Sequence, residues 1–375
     1  MLDLIGFERT PFLVFINIIM VLIAYLIYRP ALSAPYKISS VRRNTGYFII
    51  LLFCLFAFWG TDWFHIAVDY QWLRQGMKSH LESLYIYLIE NICPDYIMFR
   101  LIVWGVALFL YNKTIQLLNI KKDLAWACFV VIGLLWFSYA RVSLAMAMMF
   151  FSFALYNSRN SLFWSKFLAL LFLVGSYFCH KSALFGIVFI IVSSYAPKLN
   201  LKLLYLVLLC IPIVYFGLGY FMVGFMDMNN ESDGAMGQSL VSVQGYMSRD
   251  AQAQGIGLLM QQFLERLVYI LTAYIGIKAV VNKNIRSTIP NNITRLINLL
   301  FYLVVMSFIF QFDLGFNTSI MADRFFKFAF IPTSLVLAYF ISNRLYTRMT
   351  SVVIVIGIFS TFYELLYSFY TSIIS

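Results

Sequence analysis

Long apolar runs, separated by short polar segments, make up most of the sequence. A helix needs about 20 apolar residues to cross a bilayer, and its backbone hydrogen bonds are satisfied internally in lipid. The runs therefore predict about 12 transmembrane helices. They cover residues 11–28, 46–60, 96–112, 124–139, 142–157, 161–179, 183–196, 201–222, 263–281, 296–312, 325–342 and 351–372. The predicted fold class is all-α, a polytopic integral membrane protein with a single transmembrane domain over residues 1–375.

Charged residues divide between alternate loops, and this alternation predicts the orientation. One set of loops holds most of the 27 basic residues and a single acid, Asp123, whereas the other set holds nearly all the acids. Cytoplasmic loops carry an excess of Lys and Arg, so the basic loops are predicted to be cytoplasmic and both termini external. The basic set is Arg29, Lys37, Arg42, Arg43, Lys113, Lys121, Lys122, Arg159, Lys166, Lys198, Lys202, Lys278, Lys283, Arg286, Arg295, Arg344 and Arg348.

Two long segments fall on the external side. Residues 61–95 contain an aromatic stretch in which Leu81, Leu84, Tyr85 and Leu88 share one helical face, a pattern typical of a helix lying in the membrane interface. Residues 223–255 are rich in Gly, Asn, Asp and Ser, which predicts a mobile surface loop.

Composition excludes several classes of protein. Hydrophobic residues make up 62% of the chain and charged residues 11%, against about 25% charged residues in soluble domains. The net charge of +11 follows from the orientation signal and does not indicate nucleic-acid binding. The cysteines and histidines show neither a disulfide framework nor metal-ligand spacing, and no Gly-rich phosphate loop is present. We therefore expect no metal, no nucleotide and no other cofactor.

A set of cations lies on the external side, at the ends of apolar runs. Charge at membrane depth is costly and is usually retained for function, and guanidinium groups bind phosphate oxygens in a bidentate fork. The set is a candidate pyrophosphate site. The alternative is that each cation reaches lipid headgroups or pairs with a nearby acid such as Glu265 or Asp323. The residues are Arg141, Arg266, Arg324 and Lys327.

His180 and Asp62 are the candidate catalytic residues. His180 follows the run 161–179 at an external turn, and its ordinary pKa suits a general base. The alternative is a polar turn residue bonded to the backbone. Asp62 follows the external end of the second run and is the second candidate base. The alternatives are that Asp62 binds a sugar hydroxyl or caps a helix.

Four further residues are candidates for contact with a substrate outside the membrane. Arg249 lies in the segment 223–255 and would close over a substrate as mobile lids do. Asp69 acts as a base, binds a sugar hydroxyl, or caps the segment that follows. Trp63 and Tyr70 would stack on sugar rings, although such aromatics more often anchor a protein at the membrane interface.

Four short motifs resemble those of the EpsG family of exopolysaccharide polymerases. They are Gly60–Asp62 with the downstream Tyr70, Arg141–Ala145, Phe178–Leu184 and Asp323–Phe325. Their order and spacing agree with the family over roughly residues 10–345. The sequence departs from the family's usual residues after the aspartate, at Val142, and after Arg324, where phenylalanines stand without a tyrosine.

The resemblance implies a Wzy-type polymerase of O-antigen or capsule repeat units in a bacterial inner membrane, and it allows a helical bundle of the GT-C type. The substrate would be an undecaprenyl-pyrophosphate-linked oligosaccharide, used on the periplasmic face without metal or nucleotide. Membrane lipids and a regulator of polysaccharide chain length would be partners, whereas nucleic acid would not.

Other functions stay open at this point. A flippase or transporter of lipid-linked sugars would need charged residues near the bilayer midplane and broken helices in paired halves. The predicted spans carry little charge inside, which disfavours that class. An O-antigen ligase would share the chemistry and differ in the acceptor. An acyltransferase that modifies surface sugars is a third alternative.

Overall fold

The structure is a computed structural model that describes residues 11–33, 38–56, 62–79, 81–137, 140–158, 163–181, 183–193, 260, 263–311 and 318–374. At several of these positions only the backbone is described, among them 62–65, 134–137, 140–141, 308–311 and 318–325. Every regular element within the described ranges is an α-helix. The helices are α1 (Pro11–Leu32), α2 (Ser40–Phe56), α3 (Asp62–Arg74), α4 (Ser83–Asn91), α5 (Tyr96–Leu117), α6 (Lys122–Phe137), α7 (Ala140–Asn157), α8 (Phe163–Cys179), α9 (Ala183–Val192), α10 (263–281), α11 (Lys283–Arg286), α12 (Asn291–Gln311), α13 (Thr318–Ser342) and α14 (Thr347–Ile374).

Local side-chain signals set several helix ends. The Asp95 carboxylate accepts a hydrogen bond from the backbone N–H of Met98 (2.7 Å) and begins α5 as an N-cap. The side chain of Asn282 accepts from the backbone N–H of Asn284 (3.1 Å) at the start of α11. Between α5 and α6 the chain turns at Asn119, whose φ of 59° lies in the left-handed region that asparagine tolerates.

The expected all-helical fold is confirmed, and the apolar helices are those of a membrane protein. Three described helices are long and apolar enough to cross a membrane: α1, α5 and the Thr347–Tyr370 part of α14. Each apolar run identified in the sequence overlaps a described helix except 201–222, which lies outside the described residues. The number of spans, 12 by hydropathy, therefore stays a prediction.

Two features of the helices differ from the sequence reading. The segment 61–95 contains two helices, α3 and α4, and α4 overlaps the interfacial helix that the apolar face predicts. The sequence placed Arg324 at the start of a helix, but α13 begins at Thr318, so Arg324 lies in its second turn. The segment 223–255 lies outside the described residues.

Helix α6 lies at the centre of the bundle, where α1, α13 and α14 pack against it. The Phe129 ring of α6 packs on Phe330 of α13, with ring centroids 5.2 Å apart. Gly133 makes this approach close, because a Cβ at that position would lie 2.5 Å from the Phe330 ring. The Tyr111 hydroxyl of α5 donates to the Ala125 carbonyl of α6 (3.3 Å) and lies 2.9 Å from Ser334 Oγ of α13. Ala125 therefore lies near Ser334, whereas Phe129 and Gly133 lie near Phe330. These contacts show that α13 runs antiparallel to α6.

The bundle has two ends, which we name by residues that lie at each. At the Arg43 end, the Arg43 guanidinium forms an ion pair with Asp123 (Nε–Oδ1 2.5 Å), and Arg295 donates to the Asn157 side chain (2.5 Å). The basic residues described at this end belong to the set that the sequence assigns to one side of the membrane. The opposite end, where α8 finishes, is the His180 end.

Candidate active site

His180 lies in the tight turn between α8 and α9 and is buried. Its backbone N–H donates to the Ser176 carbonyl (3.0 Å), and its own carbonyl accepts from the Ala183 N–H (2.9 Å). The backbone of the turn is therefore satisfied by the chain itself. These bonds are made by the main chain of His180 and not by its imidazole.

Methionines of α7 hold this hairpin close to the bundle. A Cβ at Gly175 on α8 would lie 2.6 Å from Met148 Cε, and one at Gly186 on α9 would collide with the Met149 sulfur. Because both positions lack a side chain, α8 and α9 approach α7 closely on either side of His180. The adjacent Cys179 thiol lies 3.5 Å from the Met148 sulfur.

Arg266 and the cationic turn of α13 lie together. The Arg266 guanidinium on α10 is buried and lies 4.6 Å from the centre of the Phe326 ring. Phe326 is two residues after Arg324 and one before the half-buried Lys327. The neighbouring Glu265 accepts a hydrogen bond from the Tyr269 hydroxyl (2.9 Å). Three of the four candidate cations are thus carried by adjacent parts of α10 and α13.

The remaining candidates at this end are described by their backbones. Arg141 is the second residue of α7, and Asp62 and Trp63 are the first two residues of α3. Helix α7 packs against α3, α8 and α13. The helix whose second residue is Arg141 therefore contacts the helices that carry Asp62 and Arg324 and the helix that ends just before His180. Arg249 lies outside the described residues.

Asp69 and Tyr70 lie inside the protein. Asp69 is buried and accepts a hydrogen bond from Ser79 Oγ (3.0 Å), which ties the end of α3 to the loop before α4. The Tyr70 ring is 3% exposed and packs against Tyr96 of α5, with centroids 5.4 Å apart. These contacts favour the structural alternative for Asp69. They leave Trp72, at 39% exposed, better placed than Tyr70 to meet a ligand from outside.

Arg100 is a buried cation that the sequence reading did not single out. It lies on the second turn of α5, is 5% exposed, and donates to the Cys54 carbonyl of α2 (2.6 Å). Its guanidinium also lies 5.9 Å from the centre of the Tyr96 ring. Cys54 precedes the last residues of α2, and the chain reaches Asp62 eight positions later. Arg100 therefore holds the end of α2, from which the chain continues to the start of α3 at Asp62 and Trp63. We call the start of α3 the Asp62 segment.

A second arginine ties the helices of segment 61–95 together. Arg74 ends α3 and donates to the Tyr70 hydroxyl (3.3 Å) and to the Cys93 carbonyl. Burial raises the pKa of the Cys93 thiol, and the Arg74 charge opposes this rise only in part. The Cys93 side chain therefore stays a neutral thiol at neutral pH, and it serves as a packed apolar group.

Sequence comparison supports a family assignment that covers nearly the whole chain. The family model that matches is described as the EpsG family, and it matches residues 43–374. A search of curated proteins and a search of solved structures each returned no match. The family's members are Wzy-like polymerases, so the match indicates a membrane protein of the polysaccharide-polymerase type. The chain belongs to the EpsG family.

Proposed function

We propose that this protein polymerises lipid-linked oligosaccharide repeat units by glycosyl transfer. The donor would be a growing glycan on undecaprenyl pyrophosphate, and the acceptor would be the terminal sugar of a new lipid-linked unit. One observation carries the proposal in addition to the family: α7, which begins at the residue before Arg141, packs against α3 and α13, which bear Asp62 and Arg324, and against α8, which ends just before His180. Residues from distant parts of the sequence are thereby brought to neighbouring helices.

The reaction breaks the bond between the anomeric carbon and a pyrophosphate oxygen and forms a bond to an acceptor hydroxyl. Negative charge accumulates on the departing pyrophosphate, and Arg141, Arg266, Arg324 and Lys327 would neutralise it. Arginines suit this role because they stay charged and present paired donors. Pyrophosphate is a good leaving group by itself, so no metal or nucleotide is required in this mechanism.

His180 would accept the proton of the attacking hydroxyl. Its ordinary pKa lies near neutral pH, which favours general-base catalysis. The Met148 and Met149 contacts hold the turn of His180 against α7, and fixed geometry of this kind contributes strongly to rate. Asp62, at the start of α3, is the second candidate base. Arg249 would close over the bound substrate.

The proposed topology has 12 spans, with the His180 end in the periplasm and both termini on that side of a bacterial inner membrane. The distribution of basic residues supports it. Arg43, Lys122, Lys278 and Arg295 belong to the basic set, and each lies within two turns of the end of its helix. Basic residues at helix ends on one side match the bias of cytoplasmic surfaces. A regulator of chain length would meet the protein in the same membrane.

Polymer length in cells tests the assignment of residues. Variants Arg141→Ala, Arg324→Ala and His180→Ala are compared in a strain that lacks the chromosomal copy, with Lys78→Ala as the control because Lys78 is exposed at the same end. Loss of one contact to the leaving group should raise the activation free energy by about 3 kcal/mol, which reduces the rate about a hundredfold. Each arginine variant should therefore accumulate in the membrane and make no long polymer. Wild-type polymer from Arg141→Ala and Arg324→Ala together would remove the proposed pyrophosphate site.

A further inference from the structure

Helix α4 packs against α8 beside the turn that carries His180. The buried Tyr85 ring of α4 lies edge-on to Phe99 of α5, with ring centroids 6.0 Å apart. The Tyr85 hydroxyl is within hydrogen-bonding reach of the Cys179 sulfur. Cys179 ends α8 and directly precedes His180, which is also buried. The start of α4 is therefore held against the residue that adjoins His180.

Glu82 is an acid at the N-cap of α4 that the proposed mechanism does not use. An N-cap side chain usually accepts from the first backbone N–H groups of its helix, but the Glu82 carboxylate makes no capping bond. It lies close enough to the Cys179 side chain to interact with it electrostatically, and its Oε2 atom is buried. Residues three apart lie on one face of a helix. Glu82 and Tyr85 thus both face the end of α8.

Hydrogen bonds on both sides of Glu82 fix its backbone. Ser79 Oγ donates to the Asp69 carboxylate (3.0 Å) and accepts from the Leu81 N–H (3.0 Å). On the other side, the Tyr85 N–H donates to the Glu82 carbonyl (3.0 Å). The half-buried carboxylate is therefore presented to the end of α8 by a rigid piece of chain, as a residue that positions another side chain requires.

The other charged groups that the described helices packed on α8 bring near this turn are cations. Lys181 follows His180 and is exposed, so solvent and salt screen its charge. Arg141 is the second residue of α7, and α9 carries no ionisable side chain over Ala183–Val192. Glu90, the other acid of α4, is exposed at the far end of that helix. Glu82 is thus the acid that α4 supplies beside His180.

We infer that Glu82 is a positioning residue for His180, whose carboxylate orients the imidazole and stabilises its protonated form. The inference rests on the proposed function, because it takes His180 to be the base. As the proton of the attacking hydroxyl moves to an imidazole nitrogen, positive charge appears on the ring, and a nearby carboxylate offsets this charge. The carboxylate keeps its own ionised form throughout and accepts no proton, as in other pairs of histidine with an acid.

Proton binding to His180 tests this role without reference to the reaction. The full-length protein in lipid nanodiscs is labelled with carbon-13 histidine and titrated by NMR. The chain has three histidines, and His180→Gln identifies the His180 signal. Glu82→Gln removes the charge and keeps the shape. It should lower the pKa of the His180 imidazole and weaken its proton binding roughly tenfold, because an opposite charge favours the protonated ring. A packing role for Glu82 predicts no change in proton binding.

Three variants control for charge and for folding. Glu90→Gln removes an exposed acid of the same helix and should leave proton binding to His180 unchanged. Tyr85→Phe removes the hydroxyl beside Cys179 and keeps the Glu82 charge, so it should also bind the proton as the wild type does. If Glu82→Gln does not accumulate, Glu82→Ser replaces it, since serine is a preferred N-cap residue and carries no charge.

The pH dependence of polymerisation in the same nanodiscs is the second readout. His180 accepts a proton only when it is neutral, so the wild-type rate should rise with pH through the pKa of its imidazole. In Glu82→Gln this rise should move to lower pH, because that pKa falls. The plateau rate should fall at least about tenfold, because the ring loses its orientation and its charge partner. Glu82→Asp keeps the charge at a shorter reach and should recover part of the plateau rate.

The two readouts separate this inference from the proposed function. Wild-type proton binding to His180 in Glu82→Gln or Glu82→Ser would show that the carboxylate does not act on the imidazole, and the inference would fall. Weakened proton binding with a wild-type rate and pH profile would overturn it as well, because the pair would not serve the reaction. Weakened proton binding in a protein that makes no polymer even when unaltered would refute the proposed function alone, and the effect of Glu82 on His180 would stand.

Discussion

Replacing Arg100 tests how the Asp62 segment is held. Arg100→Met keeps an unbranched side chain in the space beside Tyr96 and removes the guanidinium that bonds to the Cys54 carbonyl at 2.6 Å. A hydrogen bond from a charged donor contributes about 1.5–3 kcal/mol, and the acceptor left behind is buried. The burial of the charge offsets part of this. We therefore expect Arg100→Met to lower the free energy of unfolding by about 2 kcal/mol.

Thermal unfolding followed by a thiol-reactive dye measures this change. Four cysteines are buried in the described structure, Cys54, Cys93, Cys128 and Cys179, so the dye reacts as the bundle opens. A loss of about 2 kcal/mol in a chain of this length corresponds to a fall of roughly 2–3 °C in the melting midpoint. Lys78→Met, at an exposed position of the same end, is the control and should leave the midpoint unchanged.

Polymer length in the same variants shows whether Arg100 also positions the site. Below the melting midpoint, Arg100→Met should make shorter polymer than the wild type, because the end of α2 no longer holds the start of the Asp62 segment. Arg100→Lys keeps the charge and a donor, so it should recover part of the length. The reasoning is refuted if Arg100→Met melts with the wild type and makes polymer of wild-type length.

Two further predictions concern packing and charge. Gly133→Ala places a Cβ 2.5 Å from the Phe330 ring and should destabilise the protein by about 1–3 kcal/mol. Gly105→Ala is the control, because nothing lies within 4 Å of its Cβ, and it should be neutral or slightly stabilising. Equal melting midpoints for the two variants would contradict the described packing of α6 on α13. In a double-mutant cycle, Arg43→Ala and Asp123→Ala should show a coupling free energy of about 1 kcal/mol in unfolding. The reason is that the ion pair is partly buried and bidentate, with N–O distances of 2.5 and 3.1 Å. Strictly additive effects on the free energy of unfolding would mean that the ion pair does not form in solution.

The sequence predicted the helices well because apolar run length is a strong signal in lipid. It also predicted that Arg43 and Asp123 belong to one side of the membrane, and the two form an ion pair. Helix α3 was not predicted, because Asp62–Arg74 mixes polar and apolar residues without a clear apolar stripe. In a protein of this class such a helix is specified by its neighbours more than by its own pattern.

The roles of the site residues stay predictions, and the structure adds where several of them lie. His180 follows an apolar run, and its place in a turn follows from that position alone. The depth of a side chain depends on partners that are distant in sequence, and these are invisible to a local pattern. Arg100 lies near the start of an apolar run and was not singled out from the sequence, because its partner Cys54 is 46 positions away. Tyr70 looked available for stacking, yet it is enclosed by Tyr96 and Phe99.

The central claim is that cations at the His180 end hold a departing pyrophosphate while one glycan is transferred to the next. The most direct test is the product that the purified protein makes from lipid-linked repeat units in liposomes, without added metal or nucleotide. The account predicts a ladder of products that differ by one repeat unit, and its loss in Arg141→Ala and Arg324→Ala. Addition of a single unit, or movement of the lipid across the bilayer without a new glycosidic bond, would contradict it.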